Sequence, residues 1–228
     1  MPRTVAIVED EAPIRENYAD ALRRHGYRVQ TFANRENAMG AFRTRLPDLL
    51  LLDIALQDEI DAGFEMCREL RTLSSKLPII FLTARDSDYD AIAGLRVGAD
   101  DYLTKDVSIP HIVARISALF RRVEALGDPT DQRNERKCGE LSIDPDRVVA
   151  RWTERVVDLT LTEFWIVNAL TKNPGHVKTR EQLMHDANVV VDDTTVTSHI
   201  KRIRRKFKAI DVNFDSIETV YGMGYRWI

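Results

Sequence analysis

Several features that mark specialised classes of protein are missing from this chain of 228 residues. No apolar run approaches the roughly 18 residues that a membrane-spanning helix needs. The N-terminus leads into the strand-like segment Thr4–Val8 without the layout of a signal peptide. The two cysteines, Cys67 and Cys138, lie far apart and lack metal-ligand spacing, so we predict reduced thiols without a redox role. We expect a cytoplasmic protein with no membrane partner.

The chain also lacks a strong imbalance of charge, because 33 lysines and arginines stand against 36 aspartates and glutamates, for a net charge of −3. Residues 1–126 carry this charge, with 17 cations and 20 acids, and residues 127–228 are neutral, with 16 of each. The segment Thr194–Lys208 differs, since it holds six cations and no acid. The positive charge of this segment bears on nucleic-acid binding, whereas the net charge of the whole chain argues neither for nor against it.

In the first half of the chain, apolar runs of strand length alternate five times with segments of helical periodicity. The predicted strands are Val5–Val8, Tyr27–Phe32, Leu49–Leu52, Ile79–Leu82 and Asp101–Leu103. The predicted helices lie near Ile14–His25, Arg35–Arg45, Phe64–Leu73, Asp88–Val97 and Pro110–Arg122. This rhythm predicts an α/β fold with a doubly wound, five-stranded parallel sheet that is covered by helices on both faces.

Leu49–Leu52 is a run of four leucines, which is typical of a strand buried on both faces of a parallel sheet. Asp53 follows it, at the end of the strand where doubly wound folds bind ligands. Polar residues also follow three other strands: Glu9 and Asp10 the first, Thr83 the fourth and Lys105 the fifth. Right-handed crossovers bring these strand ends to one edge, so we expect the side chains to converge.

Converging carboxylates repel one another unless a cation joins them, and hard oxygen ligands with room for water suit Mg²⁺. A lysine and a hydroxyl opposite them can hold the oxygens of a phosphoryl group. The set therefore predicts phosphoryl transfer to Asp53, with Lys105 and Thr83 stabilising the equatorial oxygens.

Each of these residues also has a simpler explanation. Glu9 and Asp10 could cap a helix that starts near Pro13. Thr83 could bond the main chain at a strand end, and Lys105 could be a solvated loop cation. The order in which these residues occur together favours the functional interpretation.

That order resembles the receiver domain of bacterial two-component response regulators. The motifs that carry the resemblance are Glu9-Asp10, Asp53, Thr83-Ala84 and Gly98–Lys105. The resemblance implies that Asp53 accepts a phosphoryl group from a sensor histidine kinase. It assigns Mg²⁺ to Glu9, Asp10, Asp53 and the main-chain carbonyl of Ala55. It also makes Thr83 and Tyr102 a switch pair, in which Tyr102 turns in behind Thr83, although Tyr102 alone is typical of a core residue.

Two departures from the receiver pattern affect this site. The usual proline after the lysine is replaced by Asp106. Because a non-proline cis bond costs about 2.5–4 kcal/mol, this loop could be trans, with Lys105 placed differently. The loop between Leu56 and Phe64 is longer than usual and carries three extra acids: Asp58, Glu59 and Asp61. These acids are either merely solvated or alter Mg²⁺ affinity or the choice of kinase.

Residues 125–137 are polar, lack periodicity and contain glycine and proline, which predicts a linker between domains at 1–124 and 138–228. The second domain begins with short strands over Gly139–Leu159. Three helices and a hairpin are predicted after them: one helix with Thr162 as N-cap, one at Arg180–Ala187, one from about Thr194 to Lys208, and a hairpin within Ile217–Trp227.

The third of these helices indicates the function of the second domain. Four apolar residues at three- and four-residue spacing predict a buried stripe: Val196, Ile200, Ile203 and Phe207. The other face is predicted to carry Thr195, Thr197, Ser198, His199, Lys201, Arg202, Arg204 and Arg205. Small polar residues followed by cations suit a helix in the DNA major groove, although a solvated basic helix is the simpler alternative.

The segments Leu159–Phe164, Val196–Phe207 and Thr219–Arg226 together resemble the winged helix-turn-helix output domain of the OmpR/PhoB class of response regulators. The resemblance implies a promoter, as double-stranded DNA, among the partners. It adds Thr194 and the wing residues Tyr221 and Arg226 to the predicted DNA contacts. Tyr221 replaces the usual arginine, so the minor-groove contact of the wing is either weaker or carried by Arg226.

The same class dimerises on phosphorylation through a receiver face at which Asp101 and Arg115 match the usual ion-pairing positions. We therefore predict a phosphorylation-controlled transcription regulator that forms a homodimer, with RNA polymerase as a further partner. One alternative is a regulator that ignores phosphate, and another is a Mg²⁺-dependent phosphohydrolase. A weak similarity in the acidic loop and after Lys105 points to a proteobacterial subgroup associated with a dedicated sortase.

Overall fold

The computed structural model describes residues 2–57, 59–85, 88–124, 135–186 and 193–228. The chain divides into two compact units, Met1–Ser117 and Ala118–Ile228. Within the described stretches, no helix combines the length and the apolar character needed to pass through a bilayer.

The first unit is a parallel sheet of five strands in the order β2-β1-β3-β4-β5. Its strands are β1 Thr4–Val8, β2 Arg28–Phe32, β3 Leu49–Leu52, β4 Ile79–Thr83 and β5 Asp101–Thr104. The helices that connect and follow them are α1 Ala12–Arg24, α2 Arg35–Thr44, α3 Ala62–Leu73, α4 Asp88–Val97 and α5 Ile109–Glu124. The predicted doubly wound parallel sheet is confirmed, and its strand order reverses between β1 and β3, where such folds bind ligands.

The leucine strand β3 lies at the centre of this sheet, between β1 and β4. All four leucines are buried, as the lack of alternation predicts. Leu52 pairs with Val8 on one side and with Phe81 on the other. This register ends β1 and β3 at the same level, and the amide of Asp53 donates to the carbonyl of Val8 at 3.0 Å.

Helix α3 begins directly against the end of β3. The amide of Gly63 donates to the carbonyl of Ile54 at 2.9 Å. A Cβ atom at position 63 would lie 2.2 Å from the carbonyl oxygen of Asp53, so only glycine permits this approach. The contact fixes the backbone on the carboxyl-terminal side of Asp53.

Among its described residues, the second unit contains a four-stranded antiparallel sheet, three helices that follow this sheet, and a hairpin. The strands are β6 Arg136–Cys138, β7 Leu141–Asp144, β8 Val149–Trp152, β9 Arg155–Val157, β10 Ile217–Val220 and β11 Gly224–Trp227. The helices are α6 Leu161–Lys172, α7 Arg180–Asp186 and α8 Asp193–Lys208. Helices followed by a two-stranded wing form a winged-helix domain. Most of the predicted linker, residues 125–134, lies outside the described residues, and β6 begins at Arg136.

The start of α6 corrects one prediction. The N-cap is Thr160 and not Thr162, which lies buried in the first turn. Thr160 is extended, its hydroxyl accepts from the amide of Glu163, and the carboxylate of Glu163 accepts from the amide of Thr160 at 2.8 Å. This reciprocal capping box satisfies two backbone donors, whereas a cap at Thr162 would satisfy one.

Helix α8 buries the predicted apolar stripe, since Val196, Ile200, Ile203 and Phe207 are each at most 1% exposed. Two residues predicted on its surface, His199 and Arg202, are also buried, so that prediction is wrong for both. Arg202 is buried because Glu163, the capping-box glutamate of α6, directs its buried carboxylate towards α8.

The carboxylate of Glu163 forms ion pairs with Arg202 at 2.6 Å and with Lys206 at 2.7 Å. Burial alone would raise the pKa of Glu163, but the charges of these two cations more than offset it, and the pKa lies below its ordinary value. The resulting stabilisation is present above the ordinary pKa of a glutamate and is lost as the pH falls through the lowered one.

Replacing Glu163 with glutamine keeps the shape of the side chain and removes its charge. Because Arg202 then stays buried without a compensating charge, we expect the free energy of unfolding to fall by roughly 3–5 kcal/mol. All three tryptophans of the chain belong to the second unit, so their fluorescence in a urea titration measures this change.

The control is Glu218→Gln, which removes the same charge from a more exposed ion pair with Arg226. Such pairs contribute about 0–1 kcal/mol, so this variant should unfold close to the wild type. Equal destabilisation by the two variants would contradict the importance of the buried ion pair.

Candidate functional site

Three carboxylates meet at the carboxyl ends of β1 and β3. Glu9, Asp10 and Asp53 each offer an oxygen atom, and these oxygens all lie within 4.8 Å of one another. The predicted convergence of the strand ends is therefore seen in the structure. The simpler role of Glu9 and Asp10 as helix caps is not, because the N-cap of α1 is Glu11.

Lys105 lies over this cluster. Its ammonium nitrogen is 2.8 Å from Oδ2 of Asp53 and 2.8 Å from Oε2 of Glu9. The bond between Lys105 and Asp106 is trans, because no cis bond occurs among the described residues. The lysine is nevertheless in place, since its amide donates to the carbonyl of Thr83 at 2.8 Å and continues the pairing of β5 with β4.

The cluster holds more negative charge than Lys105 balances. Burial raises the pKa of Glu9 to about 7, and the neighbouring charge of Asp53 adds to this against the lowering effect of Lys105. Burial acts to lower the pKa of Lys105, but hydrogen bonds to Asp53 and Glu9 raise it above its ordinary value. A group of oxygen donors with an uncompensated charge suits a hard divalent cation.

The oxygens of the acids are oriented by the surrounding backbone. Oδ1 of Asp53 accepts from the amide of Ile54 at 2.6 Å, which leaves Oδ2 directed at Lys105. Oδ2 of Asp10 accepts from the amide of Gln57 at 3.0 Å. Ala55, whose main-chain carbonyl is a predicted metal ligand, lies in the chain between Ile54 and Gln57, the two residues whose amides donate these hydrogen bonds. It is half-buried.

The predicted switch residues, Thr83 and Tyr102, both form hydrogen bonds to the backbone of Arg85, a residue that the sequence analysis did not identify. The hydroxyl of buried Thr83 accepts from the amide of Arg85 at 3.4 Å. The hydroxyl of Tyr102 donates to the carbonyl of Arg85 at 2.9 Å, while its ring packs edge-on against Phe81. The loop after β4 thus contacts both residues.

The side chain of Arg85 joins that loop to the acidic loop after β3. Its guanidinium donates to the carboxylate of Asp61 at 3.2 Å and to the carbonyl of Ile60 at 2.7 Å. Asp61 is therefore not merely solvated, although Glu59 is exposed. Asp58 lies outside the described residues. No feature of the sequence distinguishes Arg85 from an exposed cation, because its contacts come from distant segments.

In the second unit, α8 presents a polar and cationic face. Thr197, Lys201 and Arg205 are exposed at four-residue spacing, and Ser198 is half-buried beside them. Arg204 is also half-buried, since it donates to the carbonyl of Ile217 at 2.8 Å and to the hydroxyl of Thr219. The side chains of Thr194 and Thr195 lie outside the described part of the chain.

Arg180, at the start of α7, also reaches this face, although sequence reasoning did not single it out. Its Nε donates to the hydroxyl of Thr197 at 3.4 Å, and its guanidinium lies over the ring of Tyr225 at 5.7 Å. In the wing, Tyr221 is exposed, and Arg226 forms an ion pair with Glu218 at 2.6 Å.

The two residues predicted for a dimer interface lie together in the first unit. Arg115 on α5 and Asp101 on β5 form an ion pair of 3.5 Å within the chain.

Comparisons with known proteins agree with both units. The family model described as response regulator receiver domain matches residues 5–117, and the one described as transcriptional regulatory protein, C terminal, matches residues 154–227. The transcriptional regulatory protein BaeR of Escherichia coli O6:H1 is 37% identical over 226 residues, which cover 98% of this chain and 92% of BaeR. CreB of Escherichia coli K12 is 36% identical, over 97% of this chain and 96% of CreB.

Solved structures give the same result. A mutant of RitR has a TM-score of 0.75 at 26% identity and covers 99% of both chains. DrrB of Thermotoga maritima, described as an OmpR/PhoB homolog, has a TM-score of 0.53 at 27% identity over 100% of this chain and 99% of DrrB. The chain therefore belongs to the OmpR/PhoB-type response regulators, the two-component transcriptional regulators that join a receiver domain to a C-terminal winged-helix domain.

Proposed function

We propose that a sensor histidine kinase phosphorylates this regulator on Asp53, and that phosphorylation promotes homodimerisation and promoter binding. The observation that carries the proposal is the position of Lys105, whose ammonium group lies 2.8 Å from both Asp53 and Glu9 despite the missing proline. We also propose a cytoplasmic location, because the promoter lies there.

The transfer requires one bond to form and one to break. A carboxylate oxygen of Asp53 attacks phosphorus while the bond from phosphorus to the imidazole nitrogen of the kinase breaks. In the structure, Oδ1 of Asp53 accepts a hydrogen bond from the amide of Ile54, and Oδ2 pairs with the ammonium group of Lys105. Lys105 and Thr83 then stabilise the equatorial phosphoryl oxygens.

The donor set fits the cofactor Mg²⁺. Four ligands would hold it: Glu9, Asp10, Asp53 and the main-chain carbonyl of Ala55. When bound, Mg²⁺ would neutralise charge on the phosphoryl oxygens. The convergence of three carboxylates beside a single lysine supports this assignment. An effect of the acidic loop on Mg²⁺ affinity or kinase choice stays a prediction.

The loop after β4 would carry the phosphorylation signal. A phosphoryl group that attracts Thr83 also displaces the backbone of Arg85, which bonds both Thr83 and Tyr102. Tyr102 lies on β5, next to Asp101, which pairs with Arg115 on α5. A dimer through this face is therefore coupled to the switch. RNA polymerase is a further proposed partner of the DNA-bound dimer.

Two alternatives have less support. The replacement of the usual proline by Asp106 suggested a regulator that does not respond to phosphorylation. However, Lys105 lies beside Asp53 even though the peptide bond between Lys105 and Asp106 is trans. A phosphohydrolase would leave the cationic face of α8 unexplained. Membership of a sortase-associated subgroup stays a prediction from two short segments, around Glu59 and after Lys105.

The phosphoacceptor is tested by treating the protein with acetyl phosphate and Mg²⁺ and measuring its mass by light scattering. We expect the wild type to dimerise and to bind a duplex selected from a random DNA pool at least roughly tenfold more tightly, because two domains on adjacent half-sites gain effective concentration. Asp53→Ala should show neither response. Asp20→Ala, which changes an exposed aspartate on α1, should respond like the wild type.

If the wild type fails to respond while it and Asp53→Ala bind DNA equally well, the receiver serves only as a scaffold and the phosphate-independent alternative is correct. Turnover of added phosphate esters would instead support the phosphohydrolase.

DNA binding is assigned to the exposed face of α8. The proposed contacts are Thr194, Thr195, Thr197, Ser198, Lys201, Arg204 and Arg205, with Arg180, Tyr221 and Arg226 beside them. His199 and Arg202 do not belong to this set, because both are buried. Bases are read near the N-terminal half of the helix, and phosphates are held by Lys201 and Arg205.

Replacing Arg205 with alanine removes one phosphate contact. We expect weaker binding to all duplexes and a decrease of about one in the slope of the logarithm of affinity against the logarithm of salt concentration. The control is Lys137→Ala, which removes an exposed cation from β6 and should leave the slope unchanged. Equal slopes for all three proteins would refute the assignment.

A further inference from the structure

The segment that carries Lys105 is a tight turn. The amide of Val107 donates to the carbonyl of Thr104 at 3.2 Å, which makes Lys105 and Asp106 the two central residues of a β-turn. Asp106 does not belong to the described residues with a positive φ, so the turn is not of type II. A cis proline at this same position forms a type VI turn. The replacement of the usual proline by Asp106 therefore goes with a different kind of turn.

The direction of the Lys105 side chain depends on the two peptide groups that flank its Cα atom. The first is fixed, because the amide of Lys105 donates to the carbonyl of Thr83 at 2.8 Å. The second contains the carbonyl of Lys105, whereas the hydrogen bond of the turn uses the carbonyl of Thr104. The carbonyl of Lys105 therefore takes its partner from outside the turn.

Helix α1 supplies this partner. The hydroxyl of Tyr18 donates to the carbonyl of Lys105 in a long hydrogen bond of 3.5 Å, and Tyr18 is only 7% exposed. Burial raises the pKa of Tyr18, so the hydroxyl keeps its proton and stays a donor. The charges of Lys105, Glu9 and Asp53 also act on this hydroxyl. Tyr18 is thus a buried polar group beside the phosphoacceptor cluster.

The same helix holds the other side of the cluster through backbone carbonyls. Arg15 lies three residues before Tyr18, on the same face of α1. Its guanidinium donates to the carbonyl of Glu9 at 2.7 Å and to that of Asp10 at 3.1 Å. One face of α1 therefore bonds the backbone at two places: the end of β1 through Arg15, and the turn after β5 through Tyr18.

We propose that Tyr18 is a positioning residue for phosphoryl transfer, because its hydroxyl fixes the peptide group after Lys105 and so directs the ammonium group of Lys105 at Asp53. This inference rests on the proposed function and adds a residue to it. In the usual sequence a proline ring restricts the backbone after the lysine. Here a hydrogen bond from α1 restricts it, and Lys105 lies 2.8 Å from Asp53.

Tyr18→Phe keeps the buried ring and removes the hydroxyl. We expect acetyl phosphate to phosphorylate this variant roughly tenfold more slowly than the wild type at saturating Mg²⁺, because a misdirected lysine loses part of its effect on the reaction. The Mg²⁺ concentration that gives half of the maximal rate should stay unchanged, because the hydroxyl bonds the lysine turn and not a proposed metal ligand.

The matched control is Tyr27→Phe. It removes another hydroxyl from the same unit, one that bonds Ser117 on α5, and it should react like the wild type. An unchanged rate for Tyr18→Phe would overturn the inference. A slower rate accompanied by a higher half-saturating Mg²⁺ concentration would also overturn it, because the hydroxyl would then support the whole cluster and not Lys105 in particular.

Asp106→Pro provides a second measurement. Proline restricts its own φ and admits a cis bond before it, so the turn should no longer depend on Tyr18. We expect Tyr18→Phe to change the rate by less than about twofold in the Asp106→Pro protein, since the two substitutions act on one peptide group and are not additive. An equal loss of rate with Asp106 and with proline would refute the role of the hydroxyl in this turn.

Failure of the inference is distinguishable from failure of the proposed function. If Lys105→Met reacts slowly and Tyr18→Phe reacts like the wild type, Lys105 acts on the phosphoryl group and Tyr18 does not position it. If acetyl phosphate does not phosphorylate the wild type, both the proposed function and the role of Tyr18 are refuted.

Discussion

Electrostatic repulsion among the clustered carboxylates of Glu9, Asp10 and Asp53 is the constraint on which the receiver depends. The parallel sheet ends β1 and β3 at one level and so places Glu9, Asp10 and Asp53 within 4.8 Å of one another. Lys105 compensates part of this charge and is held by the pairing of β5 with β4. The remaining negative charge makes the cluster suitable for a hard divalent cation. The strand order reverses between β1 and β3, which puts this cluster at the position where doubly wound folds bind ligands.

The second unit also contains a buried carboxylate, but there two cations compensate its charge. Here one buried carboxylate, Glu163, caps α6 and pairs with Arg202 and Lys206 on α8. These two cations hold the helix in place, and Lys201 and Arg205 stay exposed to solvent. The cations of α8 thus fall into two groups: Arg202 and Lys206 pair with the buried carboxylate, and only the exposed cations are available to a ligand.

The sequence was informative where a pattern is local or periodic. The run of leucines predicted β3, and the polar residues at the strand ends predicted the site around Asp53. Patterns could not reveal contacts between distant segments: a surface position was wrongly assigned to Arg202 because its partner lies on α6. Arg85 and Arg180 were missed for the same reason, since neighbouring residues carry no signal of their contacts with Asp61 and Tyr225.

The central claim is that Lys105 acts on the phosphoryl group even though Asp106 replaces the usual proline. Its most direct test is the rate at which acetyl phosphate phosphorylates the wild type and Lys105→Met at saturating Mg²⁺. The account predicts a decrease of roughly a hundredfold, because one preorganised charged donor to the transferring group is lost. A rate within about twofold of the wild type would contradict it, because by transition-state arithmetic so small a change means that the lysine does not act on the reaction.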